Sequence, residues 1–498
     1  MENKTRNLLA MDFGGSTGRG ILGQFDGEHL QLQDIHRFSN YFVNQNGTYF
    51  WDVYRLFHEI LHSVKEVGKI HGKNALSSIG IDTWGTDYGL IDKNGQLLGN
   101  VRCMRNADGK AVKEVLNTVG SSEIFKATGL QTIPGNTIFQ LFERLKKEDP
   151  ALLYADKMLM LPDLLGYFLT GVQKEEYTMA TTSMCFNPVK KDWDYSLIEE
   201  LGLPAHIFAE INYPGESKNA ILPELVYETG TSKLQYINVG THDTASAVAA
   251  TPLEKNELFC SSGTWSLFGI ETEEAVISEA VERENFSNEG TVDGKFRLLK
   301  NIMGMWLIQE CMREWKDAGM NLSWDEVVRK AAQTAPFESF LDTELPELYN
   351  AGNMIEKIQS YCRRTGQKVP ESVGEIGRCI YQSIAMRYRI TKKQLSRITN
   401  KEFKALRIVG GGCQNEMLNQ FAANVLNIPV YSGPVEAASI GNILIQGLAW
   451  GDLSNLADLR NVVKASFEIK SFHPQDIDIW EDAYERYCEI ISKAGGKL

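Results

Sequence analysis

Residues 12–19 read DFGGSTGR, a carboxylate and a guanidinium enclosing a run of small residues. Gly15, Ser16, Thr17 and Gly18 leave backbone N–H groups and hydroxyls free to surround a phosphate, while Asp12 faces a hydrated cation and Arg19 stays nearby as a fixed positive charge. The same run also reads as a plain hairpin turn, because Gly-Gly supplies positive φ and Ser/Thr satisfy the backbone locally. No G-x-x-x-x-G-K-[ST] occurs in the chain, so a phosphate cradle here would be strand-turn-strand rather than a P-loop. A second small turn, Ser262-Gly263-Thr264, lies about half a chain away. A nucleoside triphosphate carries more charge than one turn satisfies, so the two would close on the same polyphosphate.

Between the turns lies INVGTHDTASAVAAT, where a strand ends at Gly240 and a helix begins near Thr244. Asp243 is then an N-cap or first-turn residue. Capping alone, worth about 1 kcal/mol, accounts for an aspartate there. The same position keeps the carboxylate ionised through the helix dipole and aims it where an acceptor hydroxyl can lie, which suits the base of a phosphoryl transfer. His242 reads equally as structural or substrate-contacting. Gly410-Gly411-Gly412, between a strand and a helix, serves either tight helix–sheet packing or a nucleotide phosphate. Gln309 falls in the helical run MGMWLIQECMREW, where a solvated polar face is the ordinary reading.

The elements that must position these groups alternate strand and helix in both halves. LLAMDFGG and RGILGQFDG form two strands around the first glycine turn, and DVYRLFHEILHSVKEV places Tyr54, Phe57, Ile60, Leu61 and Val64 on one helical face. LSSIGIDTWG is a strand, and YGLID follows with an Asn94-Gly95 turn. NELFCSSGTWSLFGIE restarts the strand-turn-strand pattern. ALRIVGGG leads into the helix NEMLNQFAANVLN, IPVYSG into EAASIGNILIQGLAWG, and DIWEDAYERYCEIISKA reads as an amphipathic tail helix. The pattern is α/β, twice, with the restart suggesting an internal duplication.

With 498 residues the chain exceeds what one core usually serves, so two domains are expected. A net charge of −13, a pI near 5.3 and a mean hydropathy of −0.25 argue against nucleic acid or an anionic membrane as partner. MENKTRNLLAMDFGG lacks the apolar centre of a signal peptide, so a cytoplasmic location is expected. The eight cysteines are dispersed without a Cys-x-x-Cys pair, which gives no support to a zinc or redox motif. Cys362 and Cys379 share one segment and are the pair to check for a bridge.

DFGGSTGR, GIDTWGTDYG, EYTMATT, THDTASAV, SSGTWSL, LKNIMGMW, IVGGGCQN and GPVEAASIGN together resemble, in order and spacing, the blocks of the FGGY carbohydrate kinases. The resemblance runs from about residue 8 to about residue 475. It implies two ribonuclease-H-like domains of the actin/hexokinase ATPase type with an interdomain catalytic cleft. It divides the chain into an N-terminal sugar-side domain (1–245), a C-terminal nucleotide-side domain (246–455) and a helical tail (456–498).

The resemblance also implies roles for single residues. Asp243 would be the catalytic base, with His242, Thr244, Gly85 and Asn301 on a small ketose. Gly15, Ser16, Thr17, Gly18, Arg19 and Thr264 would hold the phosphates of ATP, with Gln309 and Gly411 also on the nucleotide and Asp12 holding Mg²⁺ through water. Met104-Arg105-Asn106 departs from the family's usual aromatic-Arg-Asp, and Gly15 stands where the members that most resemble this chain often carry alanine. A silent sugar or nucleotide sensor on this scaffold would lack the base or a phosphate turn; both are present. Oligomeric state is not legible.

Overall fold

The computed structural model describes residues 5–107 and 109–497, so Met1–Lys4 of the leader reading lie outside the described residues. The chain forms two compact units, neither contiguous in sequence. The first comprises Met1–Pro252, Glu271–Leu298 and Glu436–Phe467; the second comprises Leu253–Ile270, Leu299–Val435 and Glu468–Leu498. These units differ from the contiguous segments 1–245, 246–455 and 456–498, because compactness follows packing and the chain crosses over more than once.

The first unit is built on β1 (Arg6–Phe13), β2 (Thr17–Phe25), β3 (Leu30–Ser39), β4 (Leu76–Thr83), β5 (Lys218–Ala220) and β6 (Gln235–Ile237), in the spatial order β5-β6-β4-β1-β2-β3. β1 pairs antiparallel with β2 and parallel with β4. Both central strands are buried along nearly their whole length, which is why LLAM and SIGI are continuous apolar runs rather than alternating ones. Helix α1 (Val53–His71), capped by the Asp52 carboxylate on the Arg55 N–H at 3.2 Å, covers one face. Its buried stripe is Val53, Leu56, Ile60, Leu61, Val64 and Val67, while Tyr54 is exposed. The stripe is therefore rotated from the one expected: Tyr54 instead lies against Phe168, ring centroids 6.0 Å apart. Two further helices matter for the site, α2 (Asp243–Ala249) and α3 (Ala437–Trp450).

The second unit repeats the plan. Its strands are β7 (Glu257–Ser262), β8 (Trp265–Thr272), β9 (Phe296–Met303), β10 (Ala405–Val409), β11 (Val430–Ser432) and β12 (Lys470–Phe472), ordered β9-β8-β7-β10-β11-β12. β7 pairs antiparallel with β8 and parallel with β10, as β1 does with β2 and β4. β12 closes the edge antiparallel to β11, as β5 does to β6. Six strands of the second sheet thus match the first sheet one for one, with a seventh, Ser287–Gly290, added beyond β9, and the duplication hinted at by two glycine turns is present in the topology. The tail helix Ile477–Lys493 belongs to this unit, with Trp480 against Phe337 and Phe421 and Tyr487 against Phe340. Cys362 and Cys379 are free thiols that hydrogen-bond each other without a bridge. Among the described residues no helix is long and apolar enough to cross a membrane.

Beneath the segment Glu175–Ser183 lies a buried acidic cluster. Asp163, on the helix Leu161–Thr170, hydrogen-bonds the Glu175 carboxyl, and burial raises Asp163 to about 8 and Glu175 well above the usual range. The two share a proton at neutral pH. Because both folded values lie above the unfolded ones, their stabilising contribution is complete in acid and is lost as pH rises through about 8. Wild-type unfolding free energy should accordingly fall from the unfolded carboxylate range at about pH 4 up to about pH 8, by up to about 1.4 kcal/mol per pH unit for one proton, and level off above it. Asp163→Asn should flatten that slope in urea titrations between pH 5 and pH 8; equal slopes would sink the shared-proton account.

Candidate active site

The first unit gathers the sequence-derived residues Asp12, Gly15–Arg19, Gly85 and His242–Thr244. Asp12 and Arg19 face each other across the β1–β2 register, and Asp12 Oδ2 accepts from Arg19 Nε at 2.9 Å and Nη2 at 2.8 Å. Arg19 also pairs with Glu436, and the two carboxylates hold its guanidinium further into the charged form. The turn between the strands is closed by Gly14 N–H donating to Thr17 O at 2.8 Å, with Asn40 Nδ2 donating to Gly14 O at 2.8 Å. Gly15, Ser16 and Thr17 remain exposed, and a Cβ at Gly15 would meet nothing within 4 Å. The turn is thus braced from behind and open in front.

Asp243 is the first residue of α2, and its Oδ1 accepts from its neighbour Thr244, from N–H at 2.5 Å and Oγ1 at 3.1 Å. Its side chain keeps 31% exposure although most of its surroundings are buried. Burial first, and the Asp12 carboxylate second, push its carboxyl up to about 7, against the two bonds from Thr244 that lower it. The expectation that the helix end keeps Asp243 an ordinary ionised carboxylate is therefore corrected: α2 is a short helix, and desolvation plus a like charge outweigh it.

Behind these two aspartates stands a third, Asp82 on β4, directly across the β1–β4 register from Asp12. It is fully buried; burial and the Asp12 charge raise its carboxyl well above the usual range. Helix α3 supplies polar contacts at helical spacing. Ser439 Oγ donates to Asp12 Oδ2 at 3.0 Å, Asn442 Nδ2 to Asp82 Oδ2 at 2.6 Å, and Gln446 Nε2 to Asn442 Oδ1 at 2.8 Å and Leu9 O at 3.0 Å. Sequence reasoning missed this ladder. Its signal was there, polar residues three and four apart in an otherwise apolar helix.

The segment before Asp243 is clamped. Thr83 N–H donates to Thr241 O at 2.9 Å from one side. From the other, Glu176 Oε2 accepts from Thr241 N at 3.1 Å and Thr241 Oγ1 at 2.7 Å, and also from Thr178 Oγ1 at 2.5 Å. Gly85 sits in a loop whose next residue, Thr86, has φ +75°, a costly conformation for a β-branched side chain. Thr86 is held there by Thr137 Oγ1 and Gln140 Nε2 donating to its carbonyl at 2.7 and 3.1 Å. Asp87 accepts from the indoles of Trp51 and Trp84 at 2.7 and 2.8 Å and from Met104 N at 2.8 Å. Asn106, in place of the family's aspartate, uses both ends of its amide: Oδ1 accepts from Tyr49 N, and Nδ2 donates to Tyr49 O and Cys103 O, each at 2.8 Å. A carboxylate could not make the two donations.

The second unit holds the remaining candidates. Thr264 lies in the turn between β7 and β8, and its Oγ1 lies 3.4 Å from Gln309 Oε1 on the helix Trp306–Asp317. The structure thereby brings two separately identified residues together. Asn301 lies on β9 in this unit. The three glycines divide by role: a Cβ on Gly410 would come within 3.0 Å of Ser262 O and one on Gly412 within 2.1 Å of Ser262 Oγ, whereas Gly411 has open space. Two glycines serve packing and the middle one is left accessible.

A divalent cation is tested by the donor set. Asp12 Oδ2 is already committed to Arg19 and Ser439, and among the described residues no cluster of three His, Cys, Asp or Glu side chains could grip a metal directly. Yet Asp82 Oδ1 has no partner, and Asp12 and Asp243 raise the Asp82 carboxyl by repulsion. The residues fit a hydrated cation that neutralises them through its waters, and do not fit a closed cage.

The comparisons agree with this architecture. The N-terminal domain of the FGGY family of carbohydrate kinases matches residues 7–250 and the C-terminal domain residues 258–450. Since the two matches take in most of the chain, the protein belongs to the FGGY family of carbohydrate kinases, a class of sugar-phosphorylating enzymes. A rhamnulokinase of Bacteroides thetaiotaomicron is 40% identical over 98% of this chain and 99% of its own length. One from Mannheimia succiniciproducens is 38% identical over 98% and 99%, and one from Bacillus subtilis 37% over 94% and 96%. Among solved structures, ligand-bound xylulose kinase from Lactobacillus acidophilus superposes with a TM-score of 0.81 at 15% identity, covering 98% of each chain. Plasmodium falciparum glycerol kinase with ADP gives 0.78 at 15% identity, covering 99% of each. The two-domain FGGY kinase fold is common to all of them.

Proposed function

We propose that the protein transfers the γ-phosphoryl group of ATP to O1 of L-rhamnulose, giving L-rhamnulose 1-phosphate and ADP. The observation that carries the chemistry is Asp243, a partly open carboxylate whose proton affinity has been brought to about 7. Full-length similarity to rhamnulokinases supports the acceptor. A small ketose and ATP are then the partners, and Mg²⁺ the accompanying ion.

Asp243 accepts the hydrogen bond of the O1 hydroxyl and takes its proton as the O1–phosphorus bond forms. The bond between the γ-phosphorus and the β–γ bridging oxygen breaks, and its electron pair leaves on ADP. Phosphoryl transfer has a loose transition state, so the protein mainly orients and neutralises. Backbone N–H groups of Gly15–Gly18 and the hydroxyls of Ser16, Thr17 and Thr264 bind phosphate oxygens, with Arg19 as a fixed charge beside them. Gln309 and Gly411 hold the nucleotide. Asp12 would hold Mg²⁺ through water, which supplies charge neutralisation at the β- and γ-oxygens. His242, Thr244, Gly85 and Asn301 orient the sugar. By role rather than compactness, 1–245 is the sugar-side domain, 246–455 the nucleotide-side domain and 456–498 the tail. A cytoplasmic site of action follows from dependence on ATP.

The test is ADP release with MgATP across L-rhamnulose, L-fuculose, L-ribulose, D-xylulose and glycerol. We expect kcat/KM for L-rhamnulose to exceed each of the others by about 10-fold or more, because a polar sugar site rejects the wrong hydroxyl pattern by leaving buried groups unpaired. Preference for another ketose would move the acceptor. Tight ATP binding without turnover on any of them would overturn the kinase reading in favour of a sensor.

A further inference from the structure

We propose that Arg297, anchored by Glu289, is a positioning residue that holds His242 as the neutral tautomer protonated on Nε2, so that a hydrogen-bond donor and not a cation stands beside Asp243. The inference rests on the assignment of Asp243 as base.

Arg297, Glu289 and His242 are all buried. Arg297 Nε donates to Gly290 O at 3.0 Å, which fixes the plane of the guanidinium. Its Nη2 lies 3.3 Å from Glu289 Oε2 and 3.2 Å from His242 Nδ1. A guanidinium has donors only, so Nδ1 must accept and the ring proton sits on Nε2. Nε2 lies 3.6 Å from Asp243 Oδ1. The backbone that carries the ring is fixed as well, because the His242 N–H donates to Thr178 Oγ1 at 3.3 Å and the preceding Thr241 is held by Glu176.

The charged groups around the imidazole make the choice consequential. Arg297 faces it from β9, Glu289 from the strand Ser287–Gly290 and Asp243 from α2, with Glu176 behind Thr241. Burial and the Arg297 charge both oppose protonation of the ring. Without Arg297, Glu289 would be left 3.5 Å from Nδ1 and would favour an imidazolium. An imidazolium would pair with Asp243 and weaken it as a proton acceptor. A neutral Nε2–H instead donates to a sugar oxygen beside the reacting hydroxyl and leaves Asp243 basic.

The tautomer is read directly by long-range ¹H–¹⁵N spectra of histidine-labelled protein, with His242 assigned by the signal missing in His242→Gln. Wild type should show His242 neutral and Nε2-protonated from pH 5.5 to pH 8.5. A charged or Nδ1-protonated His242 overturns the proposal whether or not any sugar is turned over, which separates its failure from that of the kinase reading. Arg297→Gln should let His242 titrate near neutrality, add a second acid limb to the pH profile, and lower kcat/KM for the preferred sugar by about 10- to 100-fold. Arg297→Lys, which still donates, should restore the neutral signal and much of the rate. In the His242→Gln background Arg297→Lys should change kcat/KM by less than about twofold, since the residue acts through His242. A full loss there would mark Arg297 as merely structural. Should Arg297→Gln not fold, the wild-type and Arg297→Lys spectra decide.

Discussion

Asp243→Asn is expected to lower kcat for ADP release by about 10²- to 10⁴-fold while leaving MgATP affinity within about twofold. The amide preserves shape and can still accept a hydrogen bond from the sugar hydroxyl, so it removes only the capacity to take the proton. The wild-type pH profile should report the same group. With the carboxyl raised to about 7, kcat/KM for the sugar rises with pH up to about 7 and then levels, because the acid form cannot act as a base. The limb assigned to Asp243 should be gone from the residual activity of the Asn variant. An Asn variant within a few-fold of wild type, or a limb near 4, would displace Asp243 from this role.

Gly441→Ala should be the most damaging small substitution in the first unit. Gly441 lies on α3 where it crosses α2, and a Cβ there would fall 1.9 Å from Ser246 O and 2.6 Å from Ser246 C. Those are backbone atoms of the helix that begins with Asp243, and they cannot swing aside as a side chain would. The expected cost is about 3 kcal/mol or more, seen as a lower midpoint in urea, with the surviving folded fraction showing reduced turnover because α2 has been pushed. Gly15→Ala is the control. Open space surrounds that Cβ, φ is ordinary, and stability should be unchanged within about 0.5 kcal/mol. Equal stability of the two variants would mean that α2 and α3 are not packed as described.

The sheets were legible because buried parallel strands demand continuous apolar runs and the glycine turns punctuate them. LLAMDF, SSIGIDT, ELFCSS and ALRIV each became a strand within a residue or two of the reading. Asp243 was legible from the strand-to-helix junction. Its elevated proton affinity was not, since that depends first on burial and then on Asp12, both of which only the fold supplies. The face of α1 was misjudged because Tyr54 is apolar by composition yet covers Phe168 at the surface. Glu176, Glu289 and Arg297 escaped for a shared reason: each acts through a partner far along the chain, Thr241 for Glu176 and His242 for the other two, and the Arg297–Glu289 ion pair looks in sequence like two solvated charges. Glycine function was legible only in part. Three adjacent glycines announced a constraint, but only the Ser262 contacts separate the two that pack from the one left open.

Helix α3 has a consequence for the order in which the protein is made. Asp12 and Asp82 lie on strands complete by residue 83, whereas the hydroxyl and amide that satisfy them arrive with Ser439 and Asn442. At about 5–20 residues per second a ribosome takes about 20 to 70 s to cover that interval. Throughout it the nascent first unit carries an uncapped sheet face and two carboxylates without their buried partners. This amino-terminal half therefore finishes folding only when synthesis is nearly over. Chains that stall before residue 436 should persist as protease-sensitive intermediates rather than as a finished domain.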